Sequence, residues 1–290
     1  MRAVVEPGFL QNPEVRRWLN GIEPAWTMLD FGSYAVLHEE PSAGNQAIRL
    51  EPNLTETDLA GSAVTRTARI LLQRAGDADG LKLTVTGNLS RAVIAEMIEV
   101  VEWPNLDKAG MFEFHKVINE PDFLPVYFVR MLLQATKLMR KSRDKLVLTR
   151  LGKEMLVPEQ CGVLQALLFH IALWRVNMGY FARSPIGPWP QDHVGVVLWS
   201  LSASANDWMH RDKLTRLCTV PTPAVVESVW DLGSFAMEAR ILRPLLWFGL
   251  LESKTEGEPG FAVPHLFRKA PLFDRFVKFN VKIEWPVVRH

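Results

Sequence analysis

Cysteine is nearly missing: the 290 residues hold two, Cys161 and Cys218, far apart and in no CxxC or zinc-ligand spacing. No disulfide framework follows, and a reducing cytoplasm is the expected compartment. An excess of one charge is missing too. Against 33 basic residues stand 32 acidic ones, for a net charge of +1 and a pI near 7.8. That balance excludes the strong positive field of a general nucleic-acid binder and leaves room only for a local basic patch. No apolar run is uninterrupted. The longest, Cys161 to Phe181, carries Gln165, His170, Arg175 and Asn177, which would be costly in lipid, so a buried bundle helix is expected and not a membrane span. Pro7 and Gly8 fall where a signal peptide needs a continuous apolar core. Phosphate-loop, dinucleotide, GxSxG and HExxH spacings are all absent, so no cofactor or metal is expected.

What is present is globular: 48% hydrophobic and 22% charged residues, enough for two or three small cores. Residues 1–55 read as an N-terminal arm or cap, broken by Pro7, Gly8, Pro13, Gly21, Pro24, Gly32, Pro41, Gly44 and Pro52, with short strands at Ser33–Leu37 and Ala47–Leu50. Trp18 and Trp26 imply that this arm packs on something. Residues 56–182 and 190–290 form two helical regions, separated by the proline-rich loop from Arg183 to Pro190. The first opens with a helix from Glu56 to Ala75, capped by Thr55 or Thr57. A break at Gly76–Gly80, a strand at Leu81–Thr84 and a helix at Arg91–Val101 follow. A further strand at Met111–Phe114 then leads to a helix from Pro121 to Met139. After the basic turn Lys141–Lys145 comes a strand, Leu146–Leu148. Later helices are expected at 158–179, 194–202, 207–218, 223–230 and 236–251.

Helix, turn, strand and helix recur. Leu71-Leu72-Gln73 leading to Leu81–Gly87 matches Leu132-Leu133-Gln134 leading to Leu146–Gly152. A third copy runs from Leu245–Glu252 through Gly257–Gly260 into Phe261–Pro264 and a helix at Leu272–Phe279. The pattern predicts three such units.

Leu148-Thr149-Arg150-Leu151-Gly152-Lys153-Glu154-Met155-Leu156 resembles the LTxxGxxLL end of the wing in winged-helix regulators of the multiple-antibiotic-resistance repressor type. Leu138-Met139-Arg140-Lys141 is similar to their GLVRR segment, with Lys137 where glycine is usual. Gly80–Thr84 followed by Gly87-Asn88-Leu89 resembles a word in uncharacterised bacterial plasmid-borne open reading frames. The first resemblance implies a mainly α fold with small β-hairpins, tandem winged-helix-like units in a helical body, and a homodimer. In such a motif threonine ends the strand and caps the next helix, while glycine permits close packing.

The expected function is that of a DNA-binding or regulatory adaptor protein that contacts the phosphates of double-stranded DNA through Lys137, Arg140, Lys141, Arg143, Lys145, Arg150 and Lys153. Against it stands the Phe123–Met139 segment, which offers mainly Phe, Leu, Val, Tyr and Met where base-reading side chains belong. The alternative is a protein-protein interaction scaffold without nucleic-acid affinity. An enzyme is the third reading, resting on Asp192-His193 and on Asp207–Asp212 around His210. Cys161 is expected to be a buried structural thiol at the start of a helix. Trp189 and Trp285 are expected in contacts between domains or with a protein partner.

Overall fold

The computed structural model describes residues 8–114, 116–182, 186–228, 231–256 and 265–284. Helices α1 (Pro13–Leu19) and α2 (Phe31–Leu37) precede strand β1 (Ile48–Leu50). Then come α3 (Ala63–Asp77), β2 (Leu81–Lys82), α4 (Arg91–Val100), α5 (Lys108–Phe114) and α6 (Leu124–Ala135). The hairpin β3 (Met139–Ser142) and β4 (Lys145–Leu148) leads into α7 (Arg150–Glu154), α8 (Cys161–His170) and α9 (Gly179–Ala182). Next are α10 (Val194–Ser204), β5 (Met209–His210), α11 (Arg211–Cys218), α12 (Pro223–Val226), α13 (Leu232–Met237) and α14 (Arg243–Trp247). The last described elements are β6 (Leu251–Thr255), β7 (His265–Lys269), α15 (Pro271–Phe276) and β8 (Val277–Phe279). The fold is mainly helical with small antiparallel sheets.

Two compact units share the chain, one of residues 51–172 with 247–249, the other of 1–50, 173–246 and 250–290. In the first, α3 buries Val64, Ala68, Leu71, Leu72 and Ala75, one stripe at helical spacing, and packs on α6. From α4 come Ile94, Met97 and Ile98, and from α6 Val126, Phe128, Val129, Leu132 and Leu133, all buried. Beside these helices lies a three-stranded sheet in the order β2-β4-β3. Its register pairs Leu81 with Leu146 and Met139 with Leu148 on the core side.

The second unit repeats that topology. Helix α10, buried almost all round, is followed by β5, then α11, α12, α13 and α14, then the hairpin β6-β7, with sheet order β5-β7-β6. Residues 8–50 belong to the same unit. Trp26 donates its indole N–H to the Thr219 carbonyl at 3.0 Å, Arg216 donates to the Trp18 carbonyl at 2.8 Å, and β1 pairs with β8.

The three expected repeats therefore become two. The first two predicted copies are the halves of one sheet, because β2 pairs with β4. The third copy needs β5, at Met209–His210, where a helix over 207–218 was expected. In this copy Gly257–Gly260 and Phe261–Pro264 lie outside the described residues, as do His115, Trp230, Trp285, His290 and residues 183–185 of the proline-rich loop.

Other expectations also change. Ser33–Leu37 is helical because Asp30 caps α2, its carboxylate accepting the Ser33 N–H at 2.6 Å, and Met111–Phe114 falls in α5. Helix α3 begins at Ala63, where Ser62 accepts the Thr65 N–H at 3.3 Å. Thr55 instead forms a reciprocal turn with Asp58 (3.0 and 3.2 Å). The Pro121–Met139 helix stops at Ala135, since Lys137 adopts φ 58° and the chain turns into β3. Helical conformation over 158–179 is divided into α8, a π-helical turn at Ile171–Arg175 and the start of α9. The expected 236–251 helix is likewise divided by a π-helical turn at Glu238–Leu242, and its last residue opens β6.

Candidate nucleic-acid interface

Two residues, Arg143 and Asp144, separate β3 from β4, with Arg143 at φ 54° and Ser142 paired with Lys145. A hairpin this tight places alternate side chains on opposite sheet faces. Met139, Leu146 and Leu81 are buried on one face. The register puts Arg140, Lys145 and Lys82 on the other, with Lys82 directly opposite Lys145.

Of the predicted basic residues, Lys137, Arg140, Lys141, Arg143 and Lys145 meet on this hairpin, while Arg150 and Lys153 lie on α7 just after it. Lys137, Arg140, Lys141, Arg143 and Lys153 are exposed and make no ion pair with a described residue. Lys145 Nζ donates to the Asp79 carbonyl at 3.1 Å and lies 3.8 Å from its carboxylate, and Arg150 pairs with Glu154 at 3.2 Å. Lys82 was not foreseen. Nothing near it in sequence marks it, and only the strand register could reveal it.

The LTxxG word has a physical explanation here. Thr149 Oγ1 donates to the Lys137 carbonyl at 2.8 Å and accepts the Gly152 N–H at 3.1 Å, so one hydroxyl ties the start of the hairpin to the start of α7. At Gly152 a Cβ would collide with the Leu138 carbonyl oxygen. Thr84 serves a different purpose: its N–H and hydroxyl meet the Asn88 carbonyl at 2.7 and 3.2 Å, forming a tight turn before α4.

Helix α6, immediately before the hairpin, offers little to a base edge. Arg130 forms an ion pair with Glu120, which is fully buried and also accepts the Leu89 N–H at 2.6 Å. Burial pushes the Glu120 carboxyl up, and Arg130 acts against that shift. Gln134 accepts from the same arginine at 2.7 Å, and Thr136 bonds back to the Leu132 carbonyl at 2.8 Å. The accessible side of α6 consists of Leu124, Tyr127, Met131 and Ala135 around these bonded groups.

The second sheet has a different surface. Lys254 pairs with Glu256 at 2.8 Å and Arg268 with Glu252 at 2.6 Å, and both cations lie over the Trp208 ring at 5.0 and 4.6 Å. Glu238, nearly buried, joins Arg211, Arg243 and His265 at 2.7, 3.0 and 3.2 Å. Those partners hold its carboxyl below the usual range against the opposing effect of burial.

The acid and imidazole groups considered for catalysis have separate partners. His193 Nδ1 lies 2.9 Å from His38 Nδ1, while His210 lies 3.2 Å from Asp212 and caps α11 by accepting the Asp212 N–H. Among the described residues no cluster of three or more His, Cys, Asp or Glu has the geometry to hold a metal. Cys161 is buried, with Arg69 Nη1 at 2.8 Å from its sulfur; burial pushes the thiol pKa up more than Arg69 lowers it. Trp189 lies in a core cluster with Ile186, Val225 and Ala236, its indole N–H donated to the Val220 carbonyl at 2.7 Å. No helix among the described residues is long and apolar enough to cross a membrane.

Residues 60–162 match the Y4jL N-terminal domain, a span that runs from the turn before α3 to the start of α8. Over 81 residues the chain is 32% identical to the uncharacterised protein y4jL of Sinorhizobium fredii (strain NBRC 101917 / NGR234). That stretch covers 28% of this chain and 37% of the relative, so the chain spans little more than a third of the relative's length. The expected likeness to uncharacterised bacterial sequences is met at this level. No solved structure matches.

Proposed function

We propose that α3, β2, α4, α6 and the β3-β4 hairpin form a winged helix, and that the protein is a DNA-binding or regulatory adaptor gripping duplex phosphates with its basic wing. The same order of helices and strands recurs from α10 to β7, which supports a tandem arrangement. One observation carries the functional reading: Arg140, Lys141 and Arg143 are exposed on the β3-β4 hairpin, whose two-residue turn bears a single acid, Asp144, and along which β2 is paired. Phosphate contacts of this kind release counterions, so affinity falls steeply with salt.

Duplex binding measured at about 50 and 200 mM salt tests the reading. If about four cations meet phosphates, the wild type is expected to lose roughly a hundredfold in affinity over that range. Arg140→Glu combined with Lys141→Glu should abolish both the binding and most of the slope. A scaffold without nucleic-acid affinity is the second reading, favoured by Phe112, Val117 and Leu124, which are 55%, 47% and 38% exposed. Negligible binding by both proteins would favour it.

A further inference from the structure

We infer that the basic face of the β2-β4-β3 sheet recognises the phosphate backbone of duplex nucleic acid irrespective of base sequence, with Lys82 as part of its footprint. This rests on the proposed function and specifies how the ligand is read.

The first support is the state of α6. In a protein that reads sequence, the helix before the hairpin must present cationic or amide side chains to the groove. Here its arginine is committed to the buried Glu120, its glutamine to that arginine, and its threonine to its own helix. Moving Arg130 toward a base would leave Glu120 buried at 0% exposure without its counter-charge. Of the remaining accessible residues, Leu124, Met131 and Ala135 carry no donor or acceptor for a base edge beyond a weak sulfur, and Tyr127, which has a hydroxyl, lies against the Arg130 guanidinium, 5.9 Å from its ring centre.

The second support is the sheet register. It collects Lys82, Lys145 and Arg140 on one face, with Arg143 at the tip and Lys141 on the other side of the same strand. Their acidic neighbours are Asp79, beside Lys145, and the exposed Asp144. Lys82 is exposed and has no ion-pair partner among the described residues. Side chains that contact only phosphate fix position without carrying sequence information. The corresponding cations of the second sheet, Lys254 and Arg268, are already paired with carboxylates, which confines the footprint to the first.

Fluorescence anisotropy of the full chain tests this, using labelled duplexes of equal length and unrelated sequence across a salt titration. Wild type is expected to bind all of them within about threefold. Lys82→Gln should weaken every duplex by a similar factor and lower the salt slope by about 1, Lys82→Arg should restore both, and Lys254→Gln should change neither. Unchanged circular dichroism and melting would show that Lys82→Gln remains folded. A preference above tenfold for one duplex, or full binding by Lys82→Gln, overturns the inference while leaving DNA binding in place. Absence of binding to every duplex by wild type removes the proposed function itself. Capture by phosphatidylserine vesicles in preference to duplex overturns the inference as well.

Discussion

Lys137 holds a left-handed backbone, φ 58°, at the corner where α6 gives way to β3. For a residue with a Cβ this conformation costs about 1–2 kcal/mol, while glycine in its place adds about 0.5–1 kcal/mol of unfolded-chain entropy. Lys137→Gly should therefore raise stability by up to about 1 kcal/mol in urea unfolding while removing one cation from the hairpin. Stability and duplex affinity would then move in opposite directions. Gly152 gives the reverse case. Adding a methyl group toward the Leu138 carbonyl leaves only backbone to yield, so Gly152→Ala should lower stability by about 2 kcal/mol or more in the same assay. At Glu120 the risk is electrostatic. Its removal strands the Arg130 guanidinium, whose side chain is only 13% exposed, and Glu120→Ala should cost about 3 kcal/mol.

At the scale of elements, α2 and the start of α10 are joined by the His38–His193 contact, with Tyr34 edge-on to His38 and Asp192 3.7 Å from His193. Glu40 and Arg175, paired with each other at 2.6 Å, line the adjacent groove beside His38. One Nδ1 must donate and the other accept, so the contact requires one ring to be neutral at that nitrogen. Burial holds His193 below the ordinary histidine value, against the pull of Asp192. Below pH about 6.5 the unfolded chain takes up this proton more readily than the fold does. The contribution is thus complete above about pH 6.5 and is lost as pH falls through the lowered His193 value. Melting temperature should decline over that window, and His193→Gln, which keeps a polar group but does not titrate, should reduce the decline. A pH profile identical to wild type in that variant would refute the assignment.

For the whole molecule, the path of the chain matters most. Residues 8–50 are built into the same unit as 186–228 and 265–284, through the Trp26 indole bond to Thr219 and the pairing of Ile48 with Phe279. Trp26→Phe keeps most of the apolar surface but leaves the Thr219 carbonyl without that donor, at a cost of about 1–3 kcal/mol. Amide hydrogen exchange should then show reduced protection in β1 and in α11 together. Loss of protection in only one of them would contradict a common cooperative unit.

Patterns that act within a few residues were readable from sequence alone. They include the helix at 91–101, the strand at 146–148, the basic hairpin and the threonine that caps the helix after it, because capping is local in origin. The apolar character of α6 was legible for the same reason, and with it the argument against a base-reading helix. Tertiary structure decided which strands pair. The strand at Leu81–Lys82 was expected from sequence but its pairing with β4 was not, while Met209–His210, two residues inside an expected helix, becomes a strand only because β7 supplies a partner. That pairing reduced three apparent repeats to two and carried Lys82 to the face of the hairpin. Long-range contact is a property of the packed chain, and no local pattern encodes it.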